Sequence, residues 1–234
     1  FCDVDKIDEE FFQKYPEVRV VGSPPTGVDH INFVSCAARD VRVITLRGET
    51  EFLKGITSTA ELTFLFLLVL VRGQTELGHK VAGKTLGLIG GNGRIGQMMA
   101  KYAAAFGMRV LVHDKKGESI LLDELLRESD AVSLHIELEG NEGFFTSELF
   151  GKMRPGSVFL NTSRPGILAS GALLGALESG RVASAYMDFL DDAELVAHAE
   201  THENLLLTDH CCGATVEDRE LTANFIIKKI DEAL

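Results

Sequence analysis

The chain is short of basic residues, of cysteine and of long apolar runs, and each shortage excludes a class of protein. Lysine and arginine total 23, against 35 aspartates and glutamates. A surface of that sign repels phosphate backbones, so nucleic acid is excluded as a partner. An anionic small molecule is still admitted, because a few local cations can govern a cleft. The four cysteines are Cys2, Cys36, Cys211 and Cys212, with no C-x-x-C pair. They are too few for a disulfide scaffold and point to a reducing, cytoplasmic location. The most apolar stretch, 64–71, falls far short of the roughly 20 residues that a membrane span needs. Glu61 precedes it and Arg72 follows it, so it reads as a buried helix and no membrane partner is expected. The charges at Asp3, Asp5 and Lys6 leave no signal peptide visible. Internal repeats and low-complexity tracts are absent.

What is present is alternation. The 234 residues suffice for one large domain or two modest ones. A β-branched run at 18–21 ends in a turn-rich loop at 22–27, followed by a helical stretch at 31–39 and a strand at 41–44. Thr59 is placed to cap the apolar helix, with Ala60 and Glu61 in its first turn. Residues 85–89 read as a buried strand and 95–106 as a helix that Gly107 stops. The strand at 109–112 ends at His113 and Asp114. Further helices fall at 121–127, 173–177 and, amphipathic, 220–234. Further strands fall at 131–134, 157–160, 182–187 and 205–207. Such alternation favours a parallel α/β sheet.

Gly91-Asn92-Gly93-Arg94-Ile95-Gly96 is a G-x-G-x-x-G sequence, a weak signal alone. Its context strengthens it: an apolar strand before, a helix after, and a second strand ending in an acid about twenty residues on. The first glycine permits a tight turn. The second lets the backbone approach a pyrophosphate, and the third lets helix and strand pack closely. Free N–H groups at the helix N-terminus, helped by Arg94, suit that pyrophosphate. Asp114 suits the adenosine ribose hydroxyls and favours NAD, although Lys115 and Lys116 beside it are able to receive the 2′-phosphate of NADP.

Hydride transfer to a ketone needs a proton donor at the carbonyl and a group that orients the substrate. Histidine suits the first task, and a nearby carboxylate holds its tautomer. Arginine suits the second through its planar fork. Candidates follow strands, where open α/β sheets place their ligands. They are Asn161-Thr162-Ser163-Arg164-Pro165-Gly166, Asp188, and Thr208-Asp209-His210-Cys211-Cys212-Gly213-Ala214-Thr215. A metal reading of the last group fails, because adjacent cysteines point different ways and no second ligand pair has suitable spacing.

Along most of its length the chain resembles the D-isomer-specific 2-hydroxyacid dehydrogenases, a family that includes phosphoglycerate dehydrogenase. The resemblance is carried by Thr26-Gly27-Val28-Asp29-His30-Ile31, Thr59-Ala60-Glu61-Leu62, Gly83-Lys84-Thr85-Leu86-Gly87-Leu88-Ile89 and the glycine loop. Ser133-Leu134-His135, Asn161-Thr162-Ser163-Arg164 and the segment from Thr208 to Thr215 complete it. It implies NAD as cofactor and reversible reduction of a 2-oxo acid to a (D)-2-hydroxy acid. His210 is then the acid/base, and Arg164 binds the substrate carboxylate and carbonyl. The family pairs its histidine with a glutamate. None falls at the expected offset after Asp188, so Glu194 is the choice and Asp192 the runner-up.

The same resemblance assigns Asp188 to the nicotinamide carboxamide. It puts Thr162 and Ser163 in the cofactor site with Gly91, Gly93, Arg94, Ile95, Gly96 and Asp114. The N–H groups of Thr26 and Gly27 hold the substrate carboxylate. In fold it implies a Rossmann-type doubly wound parallel sheet over 58–213, inserted into a flavodoxin-like α/β substrate domain made of 1–57 and 214–234. Set against the family pattern, that second domain is expected to lack its N-terminal strand and helix. A homodimer through the apolar helix is implied as well. Departures are local. Gly90 makes the glycine loop one residue longer, Pro165 replaces a glycine, and Asp209-His210-Cys211-Cys212 replaces a Pro-His-Ile-Gly type sequence. The stretch Leu46-Arg47-Gly48-Glu49-Thr50-Glu51-Phe52 looks like a subgroup associated with surface-carbohydrate gene sets. This implies a sugar-acid-like or phosphorylated substrate, with Arg47 as a contact. Some relatives instead sense NAD(H) as corepressors or scaffolds, which is the alternative class.

Overall fold

A computed structural model of the chain describes residues 6–73 and 78–233. Cys2, Asp3 and Asp5 lie outside them. In chain order the elements are α1 (Glu9–Lys14), β1 (Val20–Ser23), α2 (Phe33–Ala37), β2 (Arg42–Thr45), α3 (Thr50–Leu53) and α4 (Ser58–Arg72). Then come β3 (Thr85–Ile89), α5 (Arg94–Ala105), β4 (Arg109–His113), α6 (Leu122–Glu128), β5 (Ala131–Leu134) and α7 (Ser147–Lys152). The last are β6 (Ser157–Asn161), α8 (Ala172–Glu178), β7 (Val182–Met187), α9 (Ala193–Thr201), β8 (Leu205–Leu207) and α10 (Val216–Asp231). They divide into two units, Thr57–Cys212 and the chain ends Phe1–Ile56 with Gly213–Leu234.

The larger unit is a six-stranded sheet in the order β4-β3-β5-β6-β7-β8, parallel throughout. The order reverses once. From β3 the chain goes to β4 on one side, then crosses back to β5 on the other. Ligands of open parallel sheets bind at the C-terminal strand ends beside such a reversal. Here those ends carry the glycine loop, after β3, and His135, after β5. Strands β3, β5 and β6 are buried along their whole length, as expected of a parallel sheet covered on both faces. One apolar cluster contains Leu125, Phe145, Phe150, Phe159, Leu173 and Leu195. The other contains Ala60, Phe64, Leu67, Leu88, Met99 and Ala103.

The apolar helix α4 is a core element. Ala60, Phe64, Leu67 and Val71 form its buried face, at the spacing one side of a helix needs. Its 15 residues rise about 22 Å, against roughly 30 Å for a bilayer core. Its cap is Thr57 rather than Thr59. Thr57 precedes the first turn, and its hydroxyl donates to Glu61 at 2.5 Å. Thr59 lies inside the helix, where its carbonyl accepts the Thr63 hydroxyl at 2.6 Å.

In the smaller unit β1 and β2 pair in parallel, and a parallel bridge joins Ile7 to Ile31. Phe12, Val21, Val28, Cys36 and Val41 are buried there. The helix expected over 31–39 is trimmed to Phe33–Ala37, because the Asn32 side chain accepts the Ser35 N–H at 3.0 Å and sets the start. The C-terminal helix α10 starts before residue 220, because the Thr215 hydroxyl accepts the Asp218 N–H at 3.2 Å. It packs on β1 at Gly22, where any Cβ would strike Ile226 and Ile230.

Candidate active site

The glycine loop leaves β3 through Gly90, whose φ of +83° lies in the left-handed region that glycine tolerates. Its N–H donates to the His113 carbonyl at 2.8 Å. Gly91 sits against Val112 and Leu88, and a Cβ on Gly96 would fall 2.5 Å from the Gly91 Cα. The third glycine therefore sets how closely α5 approaches the loop. Gly93 caps α5 in extended backbone, and the N–H groups of the first turn have no carbonyl of their own helix to bind. This terminus of a 12-residue helix suits a pyrophosphate. Arg94 and Ile95 open the helix, both half-buried. The residues present fit a dinucleotide.

Asn92 is a contributor that the sequence did not single out. Its N–H donates to the Asp114 carboxylate at 2.9 Å. Its side-chain amide donates to the carbonyls of Lys116 and Glu118. Asp114 also accepts the Lys116 N–H at 3.0 Å. The acid at the end of β4 is thus held against the loop, yet remains partly exposed. An asparagine among glycines was the available signal, since such residues bond readily to nearby backbone. Across the strand reversal, His135 Nε2 lies 3.0 Å from the Ser133 hydroxyl. Burial pushes its pKa down to about 4, so the ring is neutral at pH 7.

After β6, the buried Asn161 shapes the next segment. Its side chain donates to the Arg164 carbonyl at 2.9 Å and accepts the Ser163 N–H at 3.0 Å. The Ser163 hydroxyl donates to the Leu134 carbonyl at 2.8 Å, and the Thr162 hydroxyl lies 3.0 Å from that of Thr63. Arg164 is half-buried and extended, with a guanidinium N–H on the Ser163 carbonyl at 2.7 Å. Pro165 opens a short 3-10 turn, Pro165–Ile167. A proline there keeps the preceding arginine extended and needs no N–H partner.

After β7, Asp188 is 0% exposed. One carboxylate oxygen accepts the Thr208 hydroxyl at 2.6 Å and the Cys211 N–H at 2.8 Å; the other accepts the Cys212 N–H at 2.9 Å. Its main-chain carbonyl accepts the His210 N–H at 3.2 Å. This carboxylate is closed into protein and holds the turn after β8. On that turn His210 is exposed, with φ +46°. Its ring lies 5.5 Å from that of Phe189.

The acidic partners expected for His210 are Glu194 and, as runner-up, Asp192. Among the described residues no hydrogen bond or ion pair joins it to Glu194 or Asp192. Asp192 caps α9, accepting the N–H groups of Glu194 at 3.0 Å and Leu195 at 3.2 Å. Glu194 is exposed in the first turn of that helix. The preference of aspartate for an N-cap accounts for the difference. In the smaller unit, Thr26 and Gly27 lie in the loop after β1. Among the described residues no hydrogen bond occupies their N–H groups. Arg47 is exposed.

The family model for the D-isomer specific 2-hydroxyacid dehydrogenase, NAD binding domain, matches residues 64–212. The (S)-sulfolactate dehydrogenase of Chromohalobacter salexigens is 30% identical, over 98% of this chain and 82% of that protein. The glyoxylate reductase of Thermococcus litoralis is 29% identical, over 97% of this chain and 77% of that protein. A solved D-lactate dehydrogenase from Aquifex aeolicus, complexed with NAD and lactic acid, is 26% identical with a TM-score of 0.80. That match covers 97% of this chain and 79% of the other. Joined to a dinucleotide loop at the strand reversal, these similarities place the chain in the D-isomer-specific 2-hydroxyacid dehydrogenase family, as an NAD-dependent oxidoreductase.

Proposed function

We propose that the chain interconverts a 2-oxo acid and its (D)-2-hydroxy acid, with His210 as acid/base and Arg164 as the anchor of carboxylate and carbonyl. The observation that carries this reading is topological. Arg164 and His210 follow β6 and β8, which flank β7 in the sheet that also bears the glycine loop. Bound NAD(H) supplies or accepts the hydride. Arg164 takes the carboxylate with two parallel N–H bonds, which lysine cannot imitate. Protonated His210 gives its proton to the carbonyl oxygen as that oxygen becomes a hydroxyl, and takes it back in the oxidative direction. Thr26 and Gly27 offer N–H groups to the same carboxylate, and Arg47 is assigned to a second polar group of the substrate. Gly91, Gly93, Arg94, Ile95 and Gly96 hold the pyrophosphate. Asp114 takes the ribose, and Thr162 with Ser163 lines the nicotinamide end.

The test is His210→Ala, assayed by loss of NADH absorbance with a panel of 2-oxo acids that includes glyoxylate. We expect kcat to fall about 10²–10⁴-fold while NADH binding survives; unchanged turnover rejects the role. A second reading, a catalytically weak NAD(H) sensor, is favoured because among the described residues no carboxylate is hydrogen-bonded or ion-paired to His210. Tight NADH binding with no turnover on any acid of the panel supports that reading instead. We also propose a homodimer through α4, on which Leu65 is 53% exposed. Light scattering that finds a monomer at micromolar concentration rejects it. The free thiols of Cys36, Cys211 and Cys212 support a cytoplasmic location, which fractionation of cells tests.

A further inference from the structure

His210 stands in a conformation that costs a non-glycine residue energy. Left-handed backbone of this kind persists only where the surroundings over-determine it. The fixing network extends well beyond His210. The Tyr186 side chain is 0% exposed, and its ring stacks on Phe66 of α4 at 3.9 Å. Its hydroxyl lies 2.7 Å from the Thr208 hydroxyl and 3.3 Å from the Cys212 sulfur.

Elementary donor accounting gives these contacts a direction. A carboxylate only accepts, so the single Thr208 proton goes to Asp188. The Thr208 oxygen then accepts from Tyr186, and the Tyr186 oxygen accepts from the Cys212 thiol. Burial pushes both the tyrosine hydroxyl and the thiol up from their ordinary values, so each keeps the proton that the chain requires. Cys212 is gripped twice, through its thiol on Tyr186 and through its N–H on Asp188. Its side chain stands where the family pattern has a glycine.

We propose that Tyr186, Thr208 and Cys212 are positioning residues for His210, through a one-way hydrogen-bond chain that runs Cys212, Tyr186, Thr208, Asp188 and locks the turn 208–212. The proposal rests on reading His210 as the acid/base. It gives a physical role to the Cys212 side chain and to a buried tyrosine that the proposed chemistry does not use. It also supplies a means of fixing the histidine that needs no glutamate. Here the fixing acts through its main chain, by way of Asp188.

The experiment compares Tyr186→Phe, Thr208→Val and Thr208→Ser with the wild-type chain. Amide hydrogen exchange is read at His210, Cys211 and Cys212, and glyoxylate reduction by NADH gives kcat and KM. Tyr186→Phe keeps the ring on Phe66 and removes only the hydroxyl. It should speed exchange at Cys211 and Cys212 about ten-fold and lower kcat about ten-fold, the scale of one hydrogen bond. KM and NADH affinity should change less than two-fold. Thr208→Val should do the same or more, and Thr208→Ser should behave as wild type. Should Thr208→Val fail to fold, Tyr186→Phe decides alone. Wild-type exchange in Tyr186→Phe overturns the proposal, and so does faster exchange with unchanged kcat. Failure of the acid/base reading has a separate signature, full turnover in His210→Ala, and leaves the exchange result standing.

Discussion

A neutral histidine at the end of β5 makes stability depend on pH in a definite sense. The folded pKa of His135 is about 4, against about 6.5 for an unperturbed imidazole. Between those values the unfolded chain binds a proton that the folded chain refuses. Its contribution is therefore complete above pH 6.5 and is lost as pH falls towards 4. One pKa unit corresponds to about 1.4 kcal/mol, so the loss at pH 4.5 is about 2–3 kcal/mol. We expect His135→Asn to remove that part of the acid sensitivity. Urea midpoints at pH 7 and pH 4.5 measure it; an equal drop for variant and parent counts against this origin. Gly96 was legible at this scale because the close packing of α5 on the loop follows from spacing, whereas the left-handed turn falls to Gly90 and not to Gly91. The partners of Asp188 were not legible, since its three bonds run to residues 208–212 and depend on the register of β7 against β8.

At the scale of elements, legibility followed burial. The bounds of β5, β7 and β8 coincide with the apolar runs that foretold them, because strands in a covered parallel sheet are apolar on both faces. Helices α7 and α9 were not foreseen. Each buries few residues, Phe150 in α7 and Leu195 in α9, so neither prints a clear period on the sequence. Both are started by caps, from the Thr146 hydroxyl and the Asp192 carboxylate. This decides how Asp192 reads. As a cap, its replacement by alanine should cost about 0.5–2 kcal/mol of stability and leave kcat within two-fold. As the partner of His210, the same replacement should barely alter stability and lower kcat by orders of magnitude. Thermal denaturation and NADH oxidation on one Asp192→Ala preparation separate the two.

At the scale of the whole molecule, the two units are unequal in what they need in order to form. Thr57–Cys212 is one continuous segment, within the usual size of a single domain. It holds all six strands of the large sheet, the apolar clusters on its faces, the glycine loop, Asp114, Arg164 and His210. The other unit is assembled from both chain ends. Its two-stranded sheet is backed by α10, whose Ile226 and Ile230 close on Gly22, so neither end completes it alone. The expectation of two domains, one inserted in the other, comes from the family resemblance; the alternation of strands and helices only permits it. The segment 57–212, produced by itself, should therefore unfold in one cooperative transition and bind NADH within about ten-fold of the whole chain's affinity. It should not reduce 2-oxo acids appreciably if Thr26 and Gly27, which it lacks, have the substrate-binding role proposed for them. Tryptophan is absent from the chain, so the fluorescence of bound NADH itself is the appropriate signal, with circular dichroism for unfolding. A segment that stays unfolded overturns its independent folding, and one that folds without binding NADH overturns the placing of the whole cofactor site within it.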